Sequence, residues 1–195
     1  TATVENFKAD KWGSTYFFVD GNFADNTLES AYAEFAREFR FWEAPLAVHV
    51  EYNGGLSGNG SYNDAYLAGG AWNWANKDFS KTFSLQLLYK YLARQQVGSK
   101  HSWQVTTVWG IHFANGLCTF SGYADLWHDG SVKGNLMLSS EPQFWFNLAA
   151  LDSVDDDFKL SLGAELELSK GLVWPTDGMN DRFYAIPTLA AKWTF

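Results

Sequence analysis

The chain of 195 residues has one cysteine, Cys118, and only 4 prolines and 2 methionines. A single cysteine excludes a disulfide within the chain, and scarce thiols suit an exported protein. No apolar run approaches the ~20 residues that a membrane-spanning helix requires, so a helical membrane protein is excluded. Lys and Arg total 14 against 22 Asp and Glu, giving a net charge of −8. Because the basic residues form no stripe or cluster, we expect no nucleic-acid partner.

Aromatic residues, in contrast, are abundant: 10 Trp, 9 Tyr and 16 Phe make up 18% of the chain, about twice the load of a typical globular protein. Such an excess is typical of aromatic girdles at the two interfaces of a membrane β-barrel. The mean hydropathy of −0.23 fits a barrel in which every second strand residue faces water or protein. No composition shift marks a linker, so residues 1–195 are predicted to form a single domain.

Apolar and polar residues alternate in about eleven segments, each close to the ~9 to 11 residues that cross a bilayer at a tilt. Leu46, Val48 and Val50, for example, alternate with His49 and Glu51. The period of two predicts strands rather than helices. The segments lie near residues 1–8, 14–23, 28–41, 46–54, 65–76, 82–92, 102–113, 117–127, 135–149, 158–169 and 183–195. The sequence therefore predicts an all-β fold, an antiparallel transmembrane β-barrel.

The predicted connections alternate between short turns and longer loops. Short turns are expected near 9–13, 42–45, 77–81, 114–116 and 152–157, and longer loops near 55–64, 93–101, 128–134 and 170–182. Only the connection at 24–27 breaks the contrast. This asymmetry is typical of outer-membrane barrels, whose short turns are periplasmic.

The last segment, 183–195, is amphipathic and ends on Phe195. It resembles the strand that the assembly machinery of bacterial outer-membrane barrels recognises, with Trp193 and Phe195 as its signal; an ordinary core strand is the alternative. If this strand ends in the periplasm, eleven strands place Thr1 outside. Because single-chain barrels have an even number of strands, we expect a further strand before Thr1 and about twelve in all.

Several stretches resemble a Bacteroides-type family of uncharacterised outer-membrane barrels. They are T-A-T-V-E-N-F-K-A-D-K-W-G-S-T-Y-F-F-V-D at 1–20, F-R-F-W-E-A-P at 39–45, L-C-T-F-S-G-Y-A-D-L-W at 117–127, S-E-P-Q-F-W-F-N-L at 140–148 and Y-A-I-P-T-L-A-A-K-W-T-F at 184–195. That family is in turn similar to the nucleoside-specific channel-forming (Tsx-like) proteins. The resemblance implies a monomeric barrel with a narrow lumen, in the bacterial outer membrane, that passes nucleosides.

If the apolar residues of each strand face lipid, the polar ones line the lumen, because a charge facing lipid near the midplane costs ~2 to 4 kcal/mol for Arg or Lys. Arg37 departs from this pattern, and either a bulge or an interface position would explain it. The predicted lumen or solute-lining residues are Glu5, Asp20, Glu34, Glu38, Arg40, His49, Glu51, Lys90, His112, Asp125, Glu141, Lys159, Glu165, Glu167 and Lys192.

Each candidate site has a structural alternative. His49 and Glu51 could form an acid/base pair or a metal site, or simply hydrogen-bond across the lumen. Glu141, Glu165 and Glu167 could bind a cation or pair with Lys159, Lys192 and Arg40. The oxygen-rich stretch from Asp177 to Asp181 lacks the full spacing of a calcium loop. Aromatic rings that could stack on a flat solute or merely fill space are Tyr16, Phe18, Tyr123, Trp127 and Trp145.

Two classes of function remain. The first is passive diffusion of small solutes, such as nucleosides, through the lumen. The alternative is a non-transporting barrel, either an accessory or structural subunit of a larger outer-membrane complex or a lipid-modifying enzyme. No Ser-His-carboxylate set marks a catalytic site, so we expect neither enzyme activity, a cofactor nor a metal. Membrane lipids and the assembly machinery are the expected partners.

Overall fold

A computed structural model describes residues 1–96, 98–130, 135–155, 157–172 and 182–195. The oxygen-rich stretch that ends at Asp181 lies outside the described residues. Strands are the dominant element, and a single 3-10 turn, Leu148–Ala150, is the exception among the described residues. No helix in the part of the chain described here is long and apolar enough to cross a membrane.

Twelve strands follow one another along the chain. They are β1 (Ala2–Asp10), β2 (Gly13–Ala24), β3 (Thr27–Phe39), β4 (Leu46–Ser57), β5 (Gly60–Ala75), β6 (Lys81–Leu92), β7 (His101–Phe113), β8 (Cys118–His128), β9 (Leu136–Ser140), β10 (Gln143–Asn147), β11 (Leu160–Lys170) and β12 (Phe183–Trp193). All eleven predicted segments are confirmed as strands, which fits the alternation that placed them.

The strands form one sheet in the order of the chain, from β1 to β8, then β10, β11 and β12. The pairings resolved between strands are antiparallel. Strand β9 also pairs with β8 and β11, so β9 and β10 share one position in the sheet. The segment predicted at 135–149 therefore forms two short strands, which together fill the place of one strand between β8 and β11. Strands β1 and β12 stand at the two ends of the order.

The interruption between β9 and β10 falls at Glu141 and Pro142. The Glu141 amide donates to the carbonyl of Tyr123 (3.1 Å), and the Leu166 amide donates to the carbonyl of Pro142 (3.0 Å). Gly122 has φ 153°, and a Cβ there would lie 2.3 Å from the Glu141 carbonyl oxygen. A proline cannot donate to a ladder, so the strand breaks here while staying bonded to both neighbours.

Two predicted connections are wrong. The loop expected at 55–64 is a two-residue turn, Gly58 and Asn59, because β4 and β5 extend through the Gly- and Ser-rich residues and stay paired up to Ser57 and Gly60. The short turn expected at 152–157 is instead a connection that runs from the end of β10 at Asn147 to Leu160. The contrast between short turns and long loops is therefore weaker than the composition predicts.

The chain divides into two compact units. Unit 1 comprises Thr1–Trp72, Gln86–Gln104 and Asp129–Ser131; unit 2 comprises Asn73–Leu85, Val105–His128 and Val132–Phe195.

In several strands of both units, exposed apolar residues alternate with buried polar ones, the reverse of the pattern in a water-soluble sheet. In unit 1, Val48 is 45% exposed and its neighbour His49 is 2% exposed. In unit 2, Leu162 is 49% exposed, whereas Ser161 is 6% exposed. Buried polar side chains include Asn53, Gln86, Lys90, Gln104, Thr106 and Thr119. Since soluble domains bury apolar residues and expose charged ones, this pattern requires an apolar environment or partner around the exposed face.

Candidate functional site

The polar face of β1–β4, in unit 1, carries six of the fifteen predicted lining residues. The antiparallel register aligns alternate residues of the four strands in rows, and each row runs across all four strands. Directly opposed residues on one face lie about 4.5–5.5 Å apart at Cβ, so neighbours in a row can interact. The four rows are Thr3–Asp20–Tyr32–Gly55, Glu5–Phe18–Glu34–Asn53, Phe7–Tyr16–Ala36–Glu51 and Ala9–Ser14–Glu38–His49.

His49 joins two of these rows. Its Nε2 lies 2.9 Å from Oε2 of Glu51, and its Nδ1 lies 3.4 Å from Oε1 of Glu38. The side chains of both glutamates are 15% exposed or less. An ionised carboxylate only accepts hydrogen bonds, so an imidazolium, which donates from both nitrogens, satisfies this arrangement. His49 therefore hydrogen-bonds to Glu51 along its own strand, and Glu38 on the neighbouring strand is a second partner that sequence reasoning did not assign to it.

A second cluster on the same face is aromatic and acidic. The Tyr32 hydroxyl donates to Oε1 of Glu34 at 2.8 Å, and its ring lies 6.0 Å from the ring of Phe18. Tyr16 continues the series, 6.1 Å from Phe18. Tyr62 of β5 stacks with Tyr32 at 6.4 Å and covers Gly55, where a Cβ would lie 2.3 Å from the ring. Glycine is required there because the ring occupies the position of a side chain.

Asn53 stands beside Glu34 in the register. The residue is 4% exposed, and its Oδ1 has no hydrogen-bond partner among the described residues. The residue opposite on β5 is Ala65, which offers no side-chain donor. A buried acceptor without a partner costs about 1–3 kcal/mol, so Asn53 is expected to lower the stability of the sheet at this position.

The other predicted residues of unit 1 have partners of their own or are exposed. Lys90 is buried and donates to Oε1 of Gln104 at 2.7 Å. Asp20 accepts a hydrogen bond from Thr3 at 2.5 Å. Glu5 lies on β1 and is exposed. Arg40 follows the last residue of β3 and is exposed, with its amide bonded to the Trp12 carbonyl.

Arg37 is explained by its partners. It lies on the same face as Phe35, bonds Asp10 at 2.8 and 2.9 Å and Thr15 at 2.8 Å, and its guanidinium stacks over Phe39 at 5.3 Å. The register is continuous from Ser30 to Phe39, so the bulge explanation is wrong. The ion pair with Asp10, beside the turn between β1 and β2, compensates the charge of Arg37.

Among the predicted residues of unit 2, Asp125, Glu165 and Glu167 lie within strands. Asp125 accepts from Thr106 at 2.5 Å. Glu165 pairs in register with Gln143 and Thr188, and Glu167 with Ile186.

Lys192 lies 4.4 Å above the ring of Trp145, which is 3% exposed. The Trp145 indole donates to Oε1 of Gln143 at 3.0 Å and packs over Gly163. His112 contacts the hydroxyl of Thr119 at 2.9 Å. Trp145 is therefore a buried packing residue. Glu141 lies in the break between β9 and β10.

The residues of the proposed assembly signal are both exposed. Trp193 ends β12 and meets the ring of Phe158 at 5.5 Å. Phe195 lies beyond the strand and is fully exposed, and the amide of Thr194 still donates to the carbonyl of Lys159 at 3.1 Å.

Sequence reasoning missed one charged cluster in unit 1. The Tyr52 hydroxyl donates to Oδ1 of Asp64 at 2.9 Å, and Arg94 forms an ion pair with the other oxygen. The composition suggested a loop here, which concealed that Asp64 lies in β5. Among the described residues, no three His, Cys, Asp or Glu side chains converge closely enough to hold a metal ion.

No curated protein and no protein of solved structure matches the chain. One family model does match, and it covers residues 1–195. The chain therefore belongs to the family described as Domain of unknown function (DUF5020).

Proposed function

We propose that the chain forms a β-barrel of the bacterial outer membrane and lets small solutes, nucleosides among them, diffuse through its lumen. The observation that carries the proposal is the reversed burial of the strands. Val48 is exposed and His49 buried in β4, and Leu87 is exposed and Lys90 buried in β6. Lipid around the sheet would cover the exposed apolar residues, and a polar interior would receive the others. The resemblance to Tsx-like channels supports the choice of solute.

The charge of the proposed lumen favours cations over anions. Carboxylates outnumber Lys and Arg among the predicted lining residues, and an excess of negative charge in a narrow tube sets a negative potential. Small neutral or cationic solutes would therefore pass more readily than anions.

Conductance across a planar bilayer tests this proposal. The refolded protein should give channels that prefer cations, and Glu141→Gln with Glu165→Gln should reduce that preference while the β-structure measured by circular dichroism stays the same. Glu43→Gln, in the exposed turn after β3, is the matched control and should leave the preference unchanged. Absence of both conductance and solute uptake into liposomes would replace the channel with the accessory or structural barrel.

The exposed Phe195 is proposed to be read by the outer-membrane assembly machinery. Phe195→Ala should lower the amount of protein in the outer membrane several-fold, because it removes the ring that the machinery would recognise. The Phe195 ring packs on no other described ring, so a loss of packing would not account for the decrease. Thr194→Ala is the control. Equal amounts of the Phe195→Ala protein and the unmodified protein in isolated outer membranes would contradict this role.

A further inference from the structure

A groove of about 360 Å³ lies on the exposed face of β2, β3 and β4, within unit 1. Its lining is mostly apolar and includes Phe35, Val50 and Tyr52. Thr15 and Arg37, which pair in register, border it on the side of the turn between β1 and β2. Pockets that hold small ligands typically measure about 300–1,000 Å³, so the groove is large enough to take part of an apolar molecule.

Basic residues that are separated along the chain come together at the Arg37 side of this groove. They form a basic cluster, which comprises Lys8, Lys11, Arg37 and Arg40. Lys8 pairs in register with Thr15, and Thr15 pairs with Arg37. The Arg40 amide donates to the carbonyl of Trp12 at 2.8 Å, which holds the residue after β3 against the turn that contains Lys11. Lys8, Lys11 and Arg40 are exposed.

The basic cluster is locally positive although the whole chain has a net charge of −8. The acidic residues of the same segments, from Lys8 to Trp12 and from Arg37 to Glu43, are Asp10, Glu38 and Glu43. Asp10 forms an ion pair with Arg37, and Glu38 contacts His49 on the opposite, polar face. Three exposed basic residues therefore stand against one further carboxylate, that of Glu43. This excess favours an anionic partner.

Exposed aromatic rings surround the basic cluster. Phe41 lies 5.8 Å from Trp12 and 6.2 Å from Trp42, measured between ring centres. Nζ of Lys11 lies 4.8 Å above the Trp12 ring. Tryptophan rings and basic side chains are favoured at the level of lipid headgroups. Arg37 lies three residues before Arg40, about 10 Å along the strand, so a headgroup at the cluster would direct its acyl chains along the groove.

We propose that this surface binds an anionic phospholipid, with the phosphate at the basic cluster and an acyl chain in the groove. Lys11 and Arg40 contact the phosphate, because Lys and Arg are the side chains that bind this group. Phe35 and Val50 contact the chain. The groove selects a lipid over a free phosphate, which has no apolar part to fill it. The site goes beyond the passage of solutes and rests only on the membrane location of the proposed function.

Native mass spectrometry of the refolded chain in detergent tests the site without requiring conductance. The probes are phosphatidylglycerol, which is anionic, and phosphatidylcholine, which is zwitterionic, with identical acyl chains. Phosphatidylglycerol should bind at least fivefold more tightly, because only this lipid has the net charge that the basic cluster attracts. Glycerol 3-phosphate, which has the phosphate but no acyl chain, should not displace it at the same concentration. Equal binding of the two lipids, or displacement by glycerol 3-phosphate, would overturn the proposal.

Paired variants locate the phosphate. Lys11→Gln with Arg40→Gln should weaken phosphatidylglycerol binding about tenfold, because both substitutions remove charge-assisted hydrogen bonds. Lys77→Gln with Lys81→Gln is the matched control, since it removes the same charge from two exposed lysines at the turn between β5 and β6. Equal losses in the two double variants would show attraction by net charge alone and refute the site.

A second pair of variants tests the groove. Val50→Phe should fill it and weaken phosphatidylglycerol binding several-fold, whereas Leu87→Phe, at an exposed position of β6, should leave binding unchanged. If the charge variant does not fold, this pair decides alone, and unchanged binding in Val50→Phe refutes the site. A chain that conducts without preferring phosphatidylglycerol contradicts only the lipid site, and one that prefers this lipid without conducting contradicts only the channel.

Discussion

At the scale of single residues, buried charge sets the tightest requirement. His49 is 2% exposed and lies between the carboxylates of Glu38 and Glu51. Removing one partner from a buried ionic cluster leaves the others uncompensated, which typically costs 3–5 kcal/mol. We therefore expect the imidazole to stabilise the pairing of β3 and β4.

Replacing this histidine tests that dependence. His49→Leu should lower the free energy of unfolding by about 3 kcal/mol, measured by urea titration in lipid vesicles. His101→Leu is the matched control, because His101 is exposed on β7, and it should cost less than about 1 kcal/mol. Similar losses in the two variants would show that the cluster does not stabilise the sheet.

Some glycine positions in the sheet leave no space for a side chain. A Cβ at Gly163 would lie 2.4 Å from the Phe144 carbonyl oxygen and 2.5 Å from the Trp145 ring. Because a backbone atom cannot move aside cheaply, Gly163→Ala should lower the free energy of unfolding by about 1–3 kcal/mol. Gly58→Ala meets open space and should be nearly neutral in the same urea titration. A neutral Gly163→Ala would mean that β10 and β11 are less closely packed than described.

At the scale of elements, the turn between β5 and β6 is fixed by its own hydrogen bonds. Oδ1 of Asp78 accepts from the amide and the hydroxyl of Ser80, at 3.2 and 2.9 Å. These bonds lower the pKa of the Asp78 carboxyl. They hold Phe79 at φ 57°, a conformation that is unfavourable for a bulky side chain.

The lowered pKa predicts a pH dependence. When folding depresses a carboxyl pKa, the stabilisation is fully present above the unfolded value and is lost as the pH falls through the folded value. Asp78→Asn should therefore lower the unfolding midpoint at pH 7, and the difference from the unmodified chain should shrink in acid. In a Ser80→Ala background the difference at pH 7 should be smaller. A difference that grows in acid would contradict the assigned hydrogen bonds.

The strands could be predicted from the sequence, as could short turns such as those near 77–81 and 114–116, whereas two other connections could not. Alternation located every strand position because burial of one face imposes a period of two. It did not reveal the break before Pro142 or the extension of β4 and β5 through residues 55–64, because cross-strand pairing decides both. Nor could the sequence predict that Oδ1 of Asn53 lacks a partner among the described residues, because this depends on Ala65 lying opposite Asn53 in the register.

At the scale of the whole molecule, the apolar residues of the exposed face determine what surrounds the sheet. If that surrounding is lipid, a charge there should oppose insertion. Val48→Arg should lower the yield of folded protein in lipid vesicles, because Arg facing lipid costs about 2–4 kcal/mol near the midplane. Asn59→Arg, in the turn between β4 and β5, is the control and should fold normally. Normal folding of both variants would argue against a membrane location.

The order of the strands also has a kinetic consequence. Strand order along the sheet follows strand order along the chain, so each pairing closes a loop only as long as one hairpin or slightly more. Low sequence separation between paired residues reduces the entropy lost before contacts form and raises folding rates. The sheet can therefore grow one hairpin at a time, with each finished strand acting as the template for the one that follows it.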